Sequence, residues 1–284
     1  MSNQSQLFIK WVNALQYITS NGYLSKNRGF LECLNLSVQI APQDSLIESL
    51  LKSQDIEGVP TEKACTEYSD QLIFGKPVEG VEYTYGQRLT EYFRYNQIYA
   101  VIDKIINYPD STSLYLSLWD VHTDYEKDNP PCLTSIWFRC RNNQLDMFCT
   151  FRSHDIYRAW LLNTVGLINL QKHIADYACV QVGFLNVNSL SAHIYQDCLP
   201  QATSVVNDYF YSLNKQKEFD DPIGNFVIEK DGKEVIASLY REKTLVASYR
   251  SVNPQKVIDD IITFHSGLQP SHAAYLVKEV LRYS

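Results

Sequence analysis

Apolar residues at Leu7, Trp11, Leu15 and Ile18 recur at helical spacing, so residues 7–20 are expected to form a helix. A glycine-containing loop follows over 20–29, then a strand-leaning run from Leu34 to Ile40 with imperfect alternation. Residues 43–72 read as helical with a break near Gly58 and Pro60, and 92–107 as a further helix stopped by Pro109. Alternation and β-forming residues predict strands over 114–119, 134–139 and 145–151, the last two joined by a turn at Asn142-Asn143. Residues 156–177 form the longest apolar helical stretch, expected to be the central buried helix, and 180–191 returns to strand character. After Tyr195 come a helical segment and a small hairpin, 226–228 with 234–239, turning at Asp231-Gly232. A last helix is expected over 271–282, with Ser271 as its N-cap. No repeat or low-complexity linker breaks the series. The chain reads as a single α+β domain, residues 1–284, on a mainly antiparallel or mixed sheet.

Composition narrows what such a domain does. With 284 residues, 45% hydrophobic and 20% charged, the chain can bury a core, which excludes disorder and fibrous scaffolds. A formal net charge of −7 argues against a broad grip on nucleic acid or an anionic membrane, but leaves room for a local basic pocket. No membrane or specific nucleic-acid partner is expected. The absence of a signal-type N-terminus and of a long apolar run points to a cytoplasmic protein. Seven cysteines without a CxxC pair argue against a disulfide framework and a zinc ribbon, and no metal site is expected.

Polar residues then appear where a core pattern has no need of them. Cys132 follows Pro130-Pro131 at the mouth of a predicted strand. Arg152, Ser153, His154 and Asp155 stand between a strand and the most buried helix, and Asn163 lies inside that helix. Ser191, His193 and Tyr195 end a strand with alternating polar side chains.

These segments resemble thymidylate synthases and the related pyrimidine-nucleotide hydroxymethylases, whose pattern is Pro-Cys, Arg-Ser-x-Asp, Asn and His-x-Tyr. Here the four motifs are Pro131-Cys132, Arg152 to Asp155, Asn163 and His193-Ile194-Tyr195, separated by 20, 11 and 30 residues from Cys to Arg to Asn to His. The Tyr83–Leu89 segment and His272–Leu276 resemble the YTYGxRL and HAAYL segments of the methanogen branch. The resemblance is firmest over residues 83–195. It implies a three-layer α+β fold, a mixed sheet packed on helices, and a homodimer formed through the sheet. It also implies a methylene-carrying reduced folate, 5,10-methylenetetrahydrofolate or a related pterin, and a pyrimidine nucleotide as substrate.

The chemistry calls for these residue types. Carbon 5 of uracil becomes nucleophilic once a thiolate adds to carbon 6, a role the resemblance gives to Cys132, with Arg152 favouring the thiolate. Asn163 can accept from N3–H and donate to O4, the uracil edge, whereas the dCMP hydroxymethylases carry Asp there. By resemblance His193 and Tyr195 hold the sugar 3′-hydroxyl and Asp155 the pterin, although a helix-capping role suits Asp155 as well. Tyr85 is expected to organise water near the base, Glu67 to be the general acid–base, and His154 to stand beside the site without acting as the base.

One departure stands out. Most family members supply two consecutive arginines to the substrate phosphate from the neighbouring subunit; Thr112 and Ser113 occupy those positions here. Arg28 and Ser153, with Lys26 nearby, remain as phosphate ligands. The reading is a C5 methyltransferase acting on a uridine nucleotide, dUMP. A pyrimidine-nucleotide 5-hydroxymethylase stands as the alternative, and a non-catalytic nucleotide-binding protein as the rival of another class.

Overall fold

The computed structural model describes residues 5–44, 47–80, 83–215, 221–241 and 244–283. Where the sequence reads as one domain, the chain's contacts group into two compact units, residues 1–209 and 210–284.

The first unit opens with α1 (Gln6–Asn21), whose apolar stripe of Leu7, Trp11, Leu15 and Ile18 is fully buried. The Trp11 indole also donates to the Ile156 carbonyl at 2.7 Å, so one side chain both fills the core and satisfies a buried acceptor. The expected loop over 20–29 contains a short strand, β1 (Tyr23–Ser25), paired with β2 (Phe30–Ile40). The 43–72 stretch is α2 (Ile47–Leu51) and α3 (Glu62–Phe74), the latter capped by Thr61. Then come α4 (Tyr85–Thr90), α5 (Gln97–Asn107), β3 (Tyr115–Ser117), β4 (Leu133–Arg141) and β5 (Gln144–Phe151). Asn142 and Asn143 take φ of 51° and 60°, the left-handed pair that a tight two-residue hairpin turn requires. A two-residue β6 (His154–Asp155), α6 (Trp160–Tyr177), β7 (Gln181–Tyr195) and α7 (Leu199–Lys215) follow.

Among the described residues the sheet runs β1-β2-β7-β5-β4-β3, with β6 also on β7. It is mixed because β5 and β7, joined through α6, are parallel, as a helical crossover requires. One face buries Ile136, Phe138, Met147, Cys149, Leu185 and Val187. The three-layer expectation reduces here to the mixed sheet packed on helices.

The second unit has its own core. β8 (Asn225–Asp231), β9 (Glu234–Arg241) and β10 (Thr244–Ser251) form an antiparallel sheet, and α8 (Pro254–Phe264) and α9 (Pro270–Leu281) contribute Val257, Ile261, Leu276 and Val280 to the buried cluster. β10 and α8 had no counterpart in the sequence reading. The expected Ser271 cap is corrected: α9 starts one residue earlier at Pro270, whose fixed φ and missing N–H suit a first helical position, and Gln269 precedes it.

His272 of the HAAYL-like segment is buried, its Nδ1 2.9 Å from Asp221 Oδ2. The Asp221 carboxylate also accepts from the backbone N–H groups of Ile223 and Gln269. Burial alone would raise this carboxyl, but those hydrogen bonds outweigh it and hold the pKa below the usual range. The stabilisation is therefore present above the ordinary carboxylate range and lost as pH falls through it. Asp221→Asn should cost roughly 1–3 kcal/mol of unfolding free energy near neutrality. It should also flatten the acid loss below about pH 4, read by urea denaturation.

Candidate active site

The β4–β5 hairpin explains how two residues 20 apart meet. Its register sets Leu133 opposite Phe151, so the residue before β4 and the residue after β5 become neighbours. The Arg152 N–H accordingly donates to the Cys132 carbonyl at 2.8 Å. The Arg152 guanidinium donates to the carbonyls of Pro131 (3.0 Å) and Pro130 (2.7 Å) and lies 3.9 Å from the Cys132 sulfur. The two prolines thus present bare carbonyls that aim the guanidinium past the thiol.

Arg152 favours the Cys132 thiolate but works against the burial of the thiol. Burial raises the thiol's pKa more than Arg152 and a hydrogen bond with Tyr85 lower it, so the thiol is held above its ordinary value. Arg152→Gln should push the pH midpoint of Cys132 alkylation by iodoacetamide higher still. An unchanged midpoint would show the guanidinium does not act on the sulfur.

Tyr85 reaches the thiol because of the segment that carries it. Thr84 and Gln87 form a reciprocal capping box that starts α4. Gly86 lets α4 press on α3, since a Cβ there would stand 1.8 Å from the Gln71 carbonyl oxygen. Arg88, fully buried, forms a two-pronged pair with Asp124 at 2.7 and 3.1 Å, and its guanidinium carbon lies 3.9 Å from the centre of the Tyr92 ring. Asp124 belongs to the chain that leads into Pro130-Pro131-Cys132, so this pair ties the segment before Cys132 to α4.

Asn163 sits on the first turns of α6 and is buried. Its Oδ1 accepts from the Tyr68 hydroxyl at 2.7 Å, and its Nδ2 lies 3.2 Å from His154 Nε2. His154 is buried, stacks on Phe151 at 3.8 Å, and its Nδ1 is 2.9 Å from the Ser189 hydroxyl. Burial, with His193 nearby, pushes its pKa down to about 3, so the imidazole is neutral. Its NMR resonances should not titrate between about pH 5 and 8, where an unperturbed histidine does. Tyr68 fits because α6 has a glycine opposite it: a Cβ at Gly166 would stand 2.6 Å from the ring. A mid-helix glycine costs about 1 kcal/mol against alanine, and here its vacancy is filled by that ring.

His193 is buried on β7, stacked 4.4 Å from Phe30 and in register with Glu32, whose carboxylate accepts a short hydrogen bond from Ser191. Tyr195 pairs with Phe30 at the same sheet end. Arg28 lies exposed on the turn just before Phe30, and Gly29 accepts from the Gln196 N–H. Ser153 is half-buried between Arg152 and His154. Asp155 Oδ1 accepts from the N–H groups of Tyr157 and Arg158, so it organises the turn ahead of α6 and does not cap the helix itself. Among the described residues its Oδ2 has no hydrogen-bond partner, which leaves one acceptor open.

One expectation is corrected. Glu67 is not brought to the site: its side chain is 67% exposed and faces Lys63 one turn away. The residue that turns inward is the next one, Tyr68, which the sequence reading passed over although it lies one turn from the buried Leu72 and Cys65 along α3. Thr112 and Ser113 are held by their own chain: Trp137 Nε1 donates to the Thr112 carbonyl, and Lys104 donates to the Ser113 hydroxyl. A cavity of about 580 Å³ opens beside the site, its wall carrying Tyr68, Tyr83, Tyr85 and Asn129. Among the described residues no cluster of three or more His, Cys, Asp or Glu is arranged to hold a metal, and no helix is long and apolar enough to cross a membrane.

Comparison with known proteins agrees with this geometry. Residues 63–255 match the family profile described as thymidylate synthase. A protein described as "Putative thymidylate synthase" from Methanothermobacter marburgensis is 36% identical over 141 residues, covering 50% of this chain and 63% of that relative. Proteins of the same description from Methanothermobacter thermautotrophicus and Methanopyrus kandleri are 37% and 31% identical over 139 and 134 residues, 49% and 47% of this chain and 62% and 64% of theirs. The chain spans less than two thirds of the length of these relatives. With most of its length matched, and a cysteine, arginine, asparagine and histidine gathered at one end of a mixed sheet, this chain belongs to the thymidylate synthase family.

Proposed function

We propose that the chain is a pyrimidine-nucleotide C5 methyltransferase that acts on a uridine nucleotide, dUMP, through a covalent adduct at Cys132. The observation that carries this reading is the half-buried thiol 3.9 Å from the Arg152 guanidinium, in the same sheet end as the buried Asn163 amide. The Cys132 sulfur adds to carbon 6 as its proton leaves, and the displaced π electrons move through carbon 5 toward O4. Asn163 donates to that oxygen and accepts from N3–H. Carbon 5, now nucleophilic, would bond the one-carbon unit and give up its proton through water organised by Tyr85; that electron pair would expel the donor's nitrogen, and once the exocyclic carbon has taken hydride or water the thiolate leaves and the ring double bond returns. A methylene-carrying reduced folate or pterin supplies the one-carbon unit and, for a methyl product, the hydride. Asp155 Oδ2 would hold its ring.

His193 and Tyr195 orient the sugar in this reading. Arg28 and Ser153 take the phosphate in place of the arginine pair, which Thr112 and Ser113 do not supply. A second copy of the chain is proposed to cover the sheet face on which Trp137, Phe148 and Phe184 pack at 5.1 and 5.3 Å.

Mass spectrometry of uridine and cytidine nucleotides incubated with the protein and methylenetetrahydrofolate tests the reading. A methyl gain on dUMP supports it, and a hydroxymethyl gain moves the assignment to the alternative. Failure to release tritium from carbon 5 of any pyrimidine nucleotide or nucleoside favours a non-catalytic binder.

A further inference from the structure

We propose that the Tyr68 hydroxyl is a positioning group that fixes which way round the Asn163 amide faces the base, and thereby selects uracil over cytosine. This rests on the reading of Asn163 as the base-recognition residue.

The argument is one of counting donors and acceptors. Tyr68 is bonded to Asn163 Oδ1 at 2.7 Å and has no other hydrogen-bond partner among the described residues. A carbonyl oxygen only accepts, so the phenol must donate. The amide nitrogen only donates, so His154 Nε2, 3.2 Å away, must accept. The neutral imidazole then carries its proton on Nδ1 and gives it to the Ser189 hydroxyl, 2.9 Å away. Ser189, His154, Asn163 and Tyr68 thus form one directed chain. What Asn163 has left is one lone pair and one N–H, the complement of N3–H and O4 of uracil.

Cytosine presents an acceptor at N3 and a donor at N4, so it asks for the amide reversed. Most of the chain tolerates that reversal, because His154 can exchange tautomers and a serine hydroxyl both donates and accepts. Tyr68 does not tolerate it. With Nδ2 turned toward it the phenol can accept, but its own buried proton loses its only acceptor, and an unmade hydrogen bond of this kind is costly. The asymmetry of base choice therefore resides in Tyr68, the residue that stands inward where the exposed Glu67 does not. Gly166 allows it, since any side chain there would push the ring away from Asn163.

Equilibrium dialysis of dUMP and dCMP against the full chain tests this. Wild type should prefer dUMP. Tyr68→Phe keeps the ring on Gly166 and removes only the hydroxyl, and should lower the dUMP-to-dCMP affinity ratio roughly tenfold, with dCMP binding improved in absolute terms. Gly166→Ala, which retains the hydroxyl but displaces it, should lower the ratio in the same direction. A Tyr68→Phe protein that weakens both ligands equally, or leaves the ratio unchanged, would overturn the proposal, because a purely structural role moves affinity and not preference. A wild type without preference refutes the reading of Asn163 itself, and is told apart because it shows before any substitution is made.

Discussion

Cys132→Ala is expected to abolish release of tritium from carbon 5 of labelled dUMP, by roughly four powers of ten or more, while dUMP binding survives. The two outcomes separate because the sulfur does one task that no neighbour duplicates. Tyr83 and Tyr85 have hydroxyls near it, but burial holds both well above their ordinary pKa, Tyr83 at about 12, so neither offers an anion to attack carbon 6. Asn163, His193 and Tyr195 are untouched by the substitution, and the ligand contacts assigned to them remain. Retained tritium release in the alanine variant would show that carbon 5 is activated by another route. Loss of binding alongside turnover would show that the thiol is part of the pocket wall more than of the chemistry.

The largest expected effect on stability lies in the ion pair beneath that site. Asp124→Asn should lower the unfolding free energy by about 3–5 kcal/mol, measured by urea denaturation, because it leaves the Arg88 charge buried without its counterion. Both side chains of the pair are fully buried, and Asp124 Oδ2 also accepts from the Asp120 N–H at 2.8 Å. The double variant Arg88→Met with Asp124→Leu should recover most of the loss, since a paired hydrophobic replacement strands no charge. Recovery of stability without recovery of Cys132 alkylation behaviour would show that the pair also sets where the segment before Cys132 lies. A loss well under 1 kcal/mol in Asp124→Asn would mean that water reaches the pair.

How much of this was legible beforehand depended on the range of the interaction concerned. Local signals served well: helical spacing gave α1, the paired asparagines gave the β4–β5 turn, and the proline after residue 107 stopped α5. Motif spacing brought Cys132, Arg152, Asn163 and His193 onto the page as candidates, and the structure places them at one end of a single sheet. The start of α9 was misread because serine is a common cap, while the preceding Pro270 is the stronger signal for a first helical position. β10 was missed because its residues are mostly exposed or half-buried, so its alternation is shallow. Glu67 was chosen for its chemical type. The helical spacing of Cys65, Tyr68 and Leu72 marked the inward face of α3, but the room for the Tyr68 ring comes from Gly166, on a helix about 100 positions later, and no local pattern carries that. The balance of forces at the thiol was equally illegible, because the arginine shows in sequence and the desolvation does not.

The pairing of β2 with β7 also bears on how the protein is made. Phe30 finds Tyr195 across the sheet, 165 residues further along. A strand that emerges early from the ribosome must therefore wait for a partner synthesised much later, with its edge open to unwanted association in the interval. Closing so long a loop is slow, and Arg28, beside Phe30, reaches the sheet end with His193 and Tyr195 only once it is done. Refolding followed by burial of Trp11 should accordingly run ahead of the recovery of nucleotide binding, and truncation before Tyr195 should leave a chain that engages chaperones instead of ligand.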